Sequence, residues 1–130
     1  MKPQVEMDHY FQPFYDSKGR FISYWHQINE ILILEPEATL EIGIGNGLVS
    51  NYLKSRNYNI ATLDIDERLN PDCVGSILNL PFLDNFFEVV ACYEVLEHLP
   101  YEDVMNALKE VHRVTNEHVL LSLPDSTRVY

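Results

Sequence analysis

Three glycines within the stretch from Glu41 to Gly47 are the residues whose type and spacing most directly indicate binding chemistry. The stretch follows an apolar run and precedes an amphipathic pattern, which predicts a tight turn between a strand and a helix. Gly43 permits the turn, while Gly45 and Gly47 have no Cβ atoms and let a ligand approach the backbone. A tight turn that binds nothing is the alternative for these glycines.

A single acid, Asp64, stands 17 residues after Gly47, at the predicted end of the next strand. A carboxylate at that point can accept hydrogen bonds from both hydroxyls of an adenosine ribose. The alternative is an acid that caps a helix or is solvated in a loop, a role for which Asp66 is the better candidate. Together, the turn and Asp64 predict a cofactor that contains adenosine.

The charge of Glu41 discriminates between such cofactors. A turn that binds pyrophosphate usually reads GxGxxG, whereas this turn reads GxGxG and has Leu48 at the place of the third small residue. The carboxylate of Glu41 would repel a phosphate group, but it would attract an ammonium and a sulfonium. The stretch therefore favours S-adenosylmethionine over a nicotinamide dinucleotide, which remains as a weaker alternative.

The patterns on either side of the turn predict alternating strands and helices. The first helix should be capped by Asp16 or Ser17 and end at Pro36, with a buried face made of Phe21, Tyr24 or Trp25, Ile28, and Ile31 or Leu32. Strands are predicted at 38–42, 59–64, 73–77, 86–92 and 118–123, a loop or short helix at 65–72, and helices at 101–114 and from Leu48 through Val49, Tyr52 and Leu53. This order indicates an α/β fold, a doubly wound, mostly parallel sheet with strand order 3-2-1-4-5 and flanking helices.

The composition sets limits on the organisation and partners of the chain. Its 130 residues suit one domain, with an aromatic segment and helix at 1–35 and the sheet core at 38–124. The net charge of −11 excludes the basic surface that nucleic acids require. No apolar run is long enough for a membrane span or a secretion signal, and Cys73 and Cys92 lack metal-ligand spacing. We therefore expect a cytoplasmic protein without nucleic-acid, membrane or metal binding.

Several stretches, taken in order, resemble one family. LEIGIGNG at 40–47 resembles the first motif of class I S-adenosylmethionine-dependent methyltransferases. TLDID at 62–66, NLPFLDNFFEVVACYEVLEHLP at 79–100, ALKEVHRV at 107–114 and HVLLSLP at 118–124 are similar to the type 11 methyltransferases. The resemblance implies a Rossmann-like fold, S-adenosylmethionine as cofactor and S-adenosylhomocysteine as product.

The resemblance also implies which residues contact the cofactor. In the family, the glycine turn and the acid before it hold the methionine part, the acid matching Asp64 binds the ribose, the end of the third strand supports the adenine, and backbone after the fourth strand closes over the methionine. The implied cofactor-binding residues are Glu41, Gly43, Gly45, Gly47, Asp64, Ile65, Ser76, Ile77 and Tyr93.

The chain departs from the family in two places. Gly75-Ser76 stands where the family commonly has Gly-Asp, so the adenine amino group would lack a charged acceptor. The family fold also continues past the fifth strand into two further strands that this sequence lacks. We therefore expect either a fragment of a longer protein or a fifth strand whose edge is covered by a partner, a second copy or the aromatic N-terminal segment.

Methyl transfer is an in-line displacement that needs an oriented acceptor and, for some acceptors, a base. The candidate bases are Glu94, Glu97 and His98, although His98 can instead be a hydrogen-bonding residue of its turn. The expected function is methyl transfer to a small molecule, and the alternative is a non-catalytic binding or scaffold domain. The aromatic residues Tyr10, Phe11, Phe14 and Tyr15 could form a lid over the cofactor or pack against the sheet or the first helix.

Overall fold

The described strands of this chain form a single parallel sheet, and helices cover it. The computed structural model describes residues 10–11 and 17–123, so Phe14, Tyr15, Asp16 and Pro124 lie outside the described residues. In chain order the elements are α1 (Lys18–Ile33), β1 (Thr39–Ile42), α2 (Leu48–Ser55), β2 (Ile60–Asp64), β3 (Cys73–Val74), β4 (Phe87–Tyr93), α3 (Tyr101–Val114) and β5 (Thr115–Ser122). Single 3₁₀ turns occupy Glu67–Leu69 and Leu96–His98.

All five described strands belong to one sheet in the order β3-β2-β1-β4-β5. Every pair of neighbouring strands is parallel. The predicted doubly wound sheet and its strand order are therefore confirmed. In this order the winding direction reverses between β1 and β4, and ligands bind at such a point, beyond the carboxyl ends of the strands.

The central strands β1, β2 and β4 are largely buried on both faces, whereas β5 is mostly exposed. In β4, Val90 and Cys92 face the core that includes α3, whereas Ala91 and Tyr93 face the core shared with α1 and α2. This alternation follows from the two-residue period of a strand. The position of the glycine turn is thus fixed by packing on both sides of β1.

Two predicted strand boundaries were wrong. β3 ends at Val74 rather than residue 77, because the chain turns there: the Ser76 hydroxyl oxygen accepts from the N–H of Leu78 at 3.1 Å. β5 begins at Thr115 rather than residue 118, because α3 runs into it directly and Thr115 already pairs with Phe87 of β4. Gly75 directly follows the end of β3, whereas no glycine or proline marks the start of β5.

The predicted buried face of the first helix was partly wrong. Ser17 caps α1 as predicted, its hydroxyl oxygen accepting from the N–H of Arg20 at 3.3 Å. Tyr24 and Ile31 are buried, but Phe21 and Trp25 are 51% and 61% exposed. α1 thus contacts the rest of the protein along a narrower line than its apolar residues suggest. Tyr52 of α2 is likewise 43% exposed.

The segment between β3 and β4 is fixed by one arginine of α3. The guanidinium of Arg113 donates to the carbonyl oxygens of Leu80 and Phe82 and to the carboxylates of Asp84 and Glu110, at 2.8–3.1 Å. This tie holds the loop against the helix that follows it. Within residues 10–11 and 17–123, no helix combines the length and apolar character needed to cross a membrane.

Candidate functional site

A cavity of about 290 Å³ lies at the carboxyl ends of the central strands, at the predicted position. The glycine turn, the ends of β2, β3 and β4, and helix α1 all contribute to its lining. Nine residues singled out from the sequence line it: Glu41, Gly43, Gly45, Asp64, Ile65, Ile77, Tyr93, Glu94 and His98. Three other residues singled out from the sequence, Gly47, Ser76 and Glu97, do not line the cavity.

The glycine turn has the backbone geometry that its sequence predicts. Gly43, Gly45 and Gly47 have φ angles of 77°, 56° and 83°, in the left-handed region that disfavours side chains. At Gly43, an added Cβ atom would also collide with the side chain of Val95. Gly47 is the N-cap residue of α2, so it shapes the start of the helix behind the cavity.

Asp64 holds the turn in place. One carboxylate oxygen accepts from the N–H of Ile44 at 2.9 Å, and the other accepts from the N–H of Asp66 at 2.9 Å. Burial raises the pKa of Asp64, and these backbone hydrogen bonds partly offset that rise. The sequence did not reveal this positioning role, while ribose binding by Asp64 stays a prediction. The capping role predicted for Asp66 is confirmed, because its side chain accepts from the N–H of Arg68 at 3.1 Å.

Glu41 is a buried acid in the wall of the cavity. Its residue is 3% exposed, and its Oε1 atom has no hydrogen-bond partner among the described residues. Burial raises the pKa of Glu41 to about 8; the neighbouring Ser50 hydroxyl lowers it, and the negative charge of Asp64 raises it further. A buried carboxyl oxygen without a donor is costly and therefore rare. An ammonium group in the cavity would supply the missing donor.

Tyr93 links the end of β4 to helix α1. Its hydroxyl donates to the carbonyl oxygen of Gln27 at 3.0 Å and lies 3.4 Å from a carboxylate oxygen of Glu30. Burial raises the pKa of Tyr93, with a further contribution from the charge of Glu30. The phenol is therefore neutral, and it fixes the distance between α1 and the sheet beside the cavity.

Helix α1 contributes lining residues whose place in the site was not predicted from the sequence. Arg20, Tyr24 and Gln27 all line the cavity, together with Tyr10 from the aromatic N-terminal segment. Arg20, Tyr24 and Gln27 are separated by four and three residues in the sequence, which is the spacing of one helix face. That signal is weak in a sequence alone, because apolar residues occupy neighbouring positions.

The three candidate bases are placed differently. Glu94 and His98 line the cavity. A carboxylate oxygen of Glu94 is 3.6 Å from a guanidinium nitrogen of Arg20. Nε2 of His98 is 3.8 Å from the carboxylate of Glu97. Among the described residues, no cluster of His, Cys, Asp or Glu side chains could hold a metal ion.

The chain belongs to the methyltransferase domain family, whose sequence model matches residues 40–123. It is 37% identical over 82 residues to the uncharacterized protein MJ0638 of Methanocaldococcus jannaschii. The match covers 58% of this chain and 34% of that protein, so the chain spans about a third of the length of this curated relative.

Solved structures share the fold. PH0226 of Pyrococcus horikoshii OT3 is similar with a TM-score of 0.70 and 19% identity, over 90% of this chain and 65% of that one. The N-methyltransferase NodS of Bradyrhizobium japonicum WM9, solved with S-adenosylhomocysteine, has a TM-score of 0.68 and 15% identity, over 83% and 63%. The chain thus spans less than two thirds of each structure. At these identities, the similarity establishes a methyltransferase fold.

Replacing Gly43 by alanine should damage the turn. The substitution places a Cβ atom against Val95 in a left-handed backbone, and we expect a loss of about 1–3 kcal/mol in the free energy of unfolding. Gly19→Ala in α1 is the matched control. Apart from the adjacent residues and the helix backbone, the atom nearest to its added Cβ is Oγ of Ser17 at 4.0 Å, so the variant should gain about 0.5–1 kcal/mol. Denaturant unfolding of both variants measures these changes, and equal stabilities would contradict the assigned geometry.

The buried carboxyl of Glu41 should make stability depend on pH. Its pKa is raised from 4.5 to about 8, so the folded protein binds more protons than the unfolded chain between these values, and stability falls as pH rises through this window. In Glu41→Gln this loss is absent. Relative to the wild type, the free energy of unfolding of the variant should rise by about 4–5 kcal/mol as the pH rises across that window. If the difference in the free energy of unfolding between the two proteins is the same at all pH values, the raised pKa of Glu41 is contradicted.

Proposed function

We propose that this chain binds S-adenosylmethionine and transfers its methyl group to a small-molecule acceptor by in-line displacement. The observation that carries this proposal is the buried carboxyl group of Glu41: the residue lines the cavity, and its Oε1 atom has no hydrogen-bond donor among the described residues. An ammonium group satisfies this atom, and S-adenosylmethionine carries such a group on its methionine part. The phosphates of a nicotinamide dinucleotide would instead meet a carboxyl at this position.

Other lining residues suit the remaining parts of this cofactor. Asp64 would hold the ribose hydroxyls, since each carboxylate oxygen can accept a second hydrogen bond besides the one from Ile44 or Asp66. Ile65 and Ile77 would give the adenine apolar contacts. Ser76 lies outside the lining and accepts from Leu78, so in this proposal it adds no charged acceptor for the adenine.

The chemistry that the bound cofactor supplies is a methyl group on a sulfonium, which is already an activated leaving group. The protein then has to orient the acceptor, exclude water and, for a neutral acceptor, remove a proton. Glu94 and His98 line the cavity and are the residues able to take that proton at a carboxylate oxygen or a ring nitrogen. A small acceptor agrees with the cavity volume of about 290 Å³ and with the net charge of −11, which disfavours nucleic acid.

A non-catalytic domain that keeps the cofactor is the second candidate. The observation that favours it is the pairing of both candidate bases with charged neighbours, Glu94 with Arg20 and His98 with Glu97. Detection of methyl transfer from labelled S-adenosylmethionine to any member of a panel of small amines, acids and phenols would exclude this candidate.

Thermal unfolding with S-adenosylhomocysteine tests the cofactor assignment. At a hundredfold excess over Kd, the ligand should stabilise the protein by about 2.7 kcal/mol, whereas NAD should give no shift. Asp64→Asn keeps one of the two acceptor oxygens and loses the charge and the second acceptor, and it should abolish most of the shift. Asp84→Asn changes an exposed acid that does not line the cavity; it is the control and should keep the shift. Absence of any shift in the wild type would refute the cofactor assignment.

A further inference from the structure

The part of the cavity beyond β4 carries charged side chains that the proposed cofactor does not use. Glu94 and His98 line the cavity and follow β4 in the chain. Glu41 and Asp64, which would hold the cofactor, lie instead in β1 and β2. The part beyond β4 therefore remains for the methyl acceptor, and its charges decide which acceptors are attracted to it.

Three carboxylates from three segments of the chain form an acidic end of the cavity. Glu94 lines the cavity directly. A carboxylate oxygen of Glu30 in α1 lies 3.4 Å from the hydroxyl oxygen of Tyr93. A carboxylate oxygen of Glu97 lies 3.8 Å from Nε2 of His98. Because Tyr93 and His98 both line the cavity, Glu30 and Glu97 stand one side chain behind its wall.

The balance of charge at the acidic end is negative. Arg20 is the only lysine or arginine among the described lining residues, and its Nη1 atom lies 3.6 Å from Oε2 of Glu94. With this ion pair intact, the guanidinium offsets one of the three carboxylates, and a protonated His98 would offset a second. The net charge of −11 over the whole chain adds to the negative field. The acidic end therefore attracts an ammonium group and repels a carboxylate.

This sign discriminates between the nucleophiles that accept methyl groups. An acid or a phenol attacks as an anion after losing its proton, and neighbouring carboxylates disfavour that anion. A protonated amine is instead attracted by the carboxylates, and it attacks as a neutral group once one proton has left. The same carboxylates can take that proton. The acidic end thus favours nitrogen over oxygen as the atom that is methylated.

We infer that the methyl acceptor is a primary or secondary amine, which binds as an ammonium ion at the acidic end of the cavity. This inference rests on the proposed function. A carboxylate oxygen of Glu94 or a ring nitrogen of His98 takes one proton from the ammonium ion. The lone pair of the amine then forms the N–C bond while the C–S bond breaks. The electron pair of the broken bond stays on sulfur, which becomes the neutral thioether of S-adenosylhomocysteine, and the methylated ammonium ion carries the positive charge.

Acceptors that share a carbon skeleton separate the effect of charge from that of size. Methyl transfer from labelled S-adenosylmethionine by the full chain is measured with benzylamine, benzyl alcohol and phenylacetate, and with hexylamine, hexanol and hexanoate. Binding of the same six compounds to the protein saturated with S-adenosylhomocysteine is measured by calorimetry. We expect kcat/KM for an amine to exceed that of the matched alcohol and carboxylate about tenfold or more.

Glu30→Gln tests the charge of the acidic end without altering the ion pair of Arg20 with Glu94. The amide keeps an acceptor oxygen beside Tyr93 and removes one negative charge. KM for the amine should rise about threefold to tenfold with kcat nearly unchanged, and binding of the matched carboxylate should tighten. Glu117→Gln is the matched control, since it removes the same charge from an exposed residue of β5 that does not line the cavity, and it should change neither value.

Each other outcome overturns the inference in a recognisable way. Transfer to the alcohol or the carboxylate in preference to the amine overturns it and leaves the proposed function standing. If Glu30→Gln weakens the amine and the carboxylate alike, the residue has a structural role and the inference is overturned. If S-adenosylhomocysteine stabilises the protein but none of the six compounds binds or is methylated, the inference is overturned and the cofactor assignment stands. If S-adenosylhomocysteine gives no shift, the proposed function fails and this inference fails with it.

Discussion

The carboxyl group of Glu41 is buried at the end of the central strand β1, and the rest of the site is arranged around it. Neighbouring strands and the two cores keep water away from the group, and its Oε1 atom has no donor among the described residues. Burial raises the pKa of Glu41 to about 8, because the carboxyl group has lost its contact with water and no cation compensates for that loss. Such a group lowers stability, and binding of a cation would recover that loss.

The remaining contacts keep this acid at the wall of an open cavity. Asp64 ties the turn to the end of β2 through the N–H of Ile44, and Gly43 lets the chain leave β1 close to Val95. Tyr93 sets the position of α1 through the carbonyl oxygen of Gln27. Each of these contacts joins two elements that are distant in sequence, so the shape of the cavity depends on contacts across the whole sheet.

The sequence predicted those parts that depend on local patterns. Apolar runs and helical periodicity indicated the strand order, and the glycines with Glu41 indicated the place of the cavity. The first half of α1 was predicted less well, because periodicity does not reveal which apolar residues of a helix find a partner: Phe21 and Trp25 are exposed. The positioning role of Asp64 and the ion pair of Arg20 with Glu94 depend on tertiary contacts, which a sequence does not display.

The most direct test of this account is the number of protons released when S-adenosylmethionine binds, measured by calorimetry in buffers with different ionisation enthalpies. Because Glu41 is mainly protonated in the empty protein below pH 8 and would ionise beside an ammonium group, the wild type should release about one proton more than Glu41→Gln near neutral pH. Equal proton release by the two proteins, with unchanged affinity in the variant, would contradict the central role of Glu41.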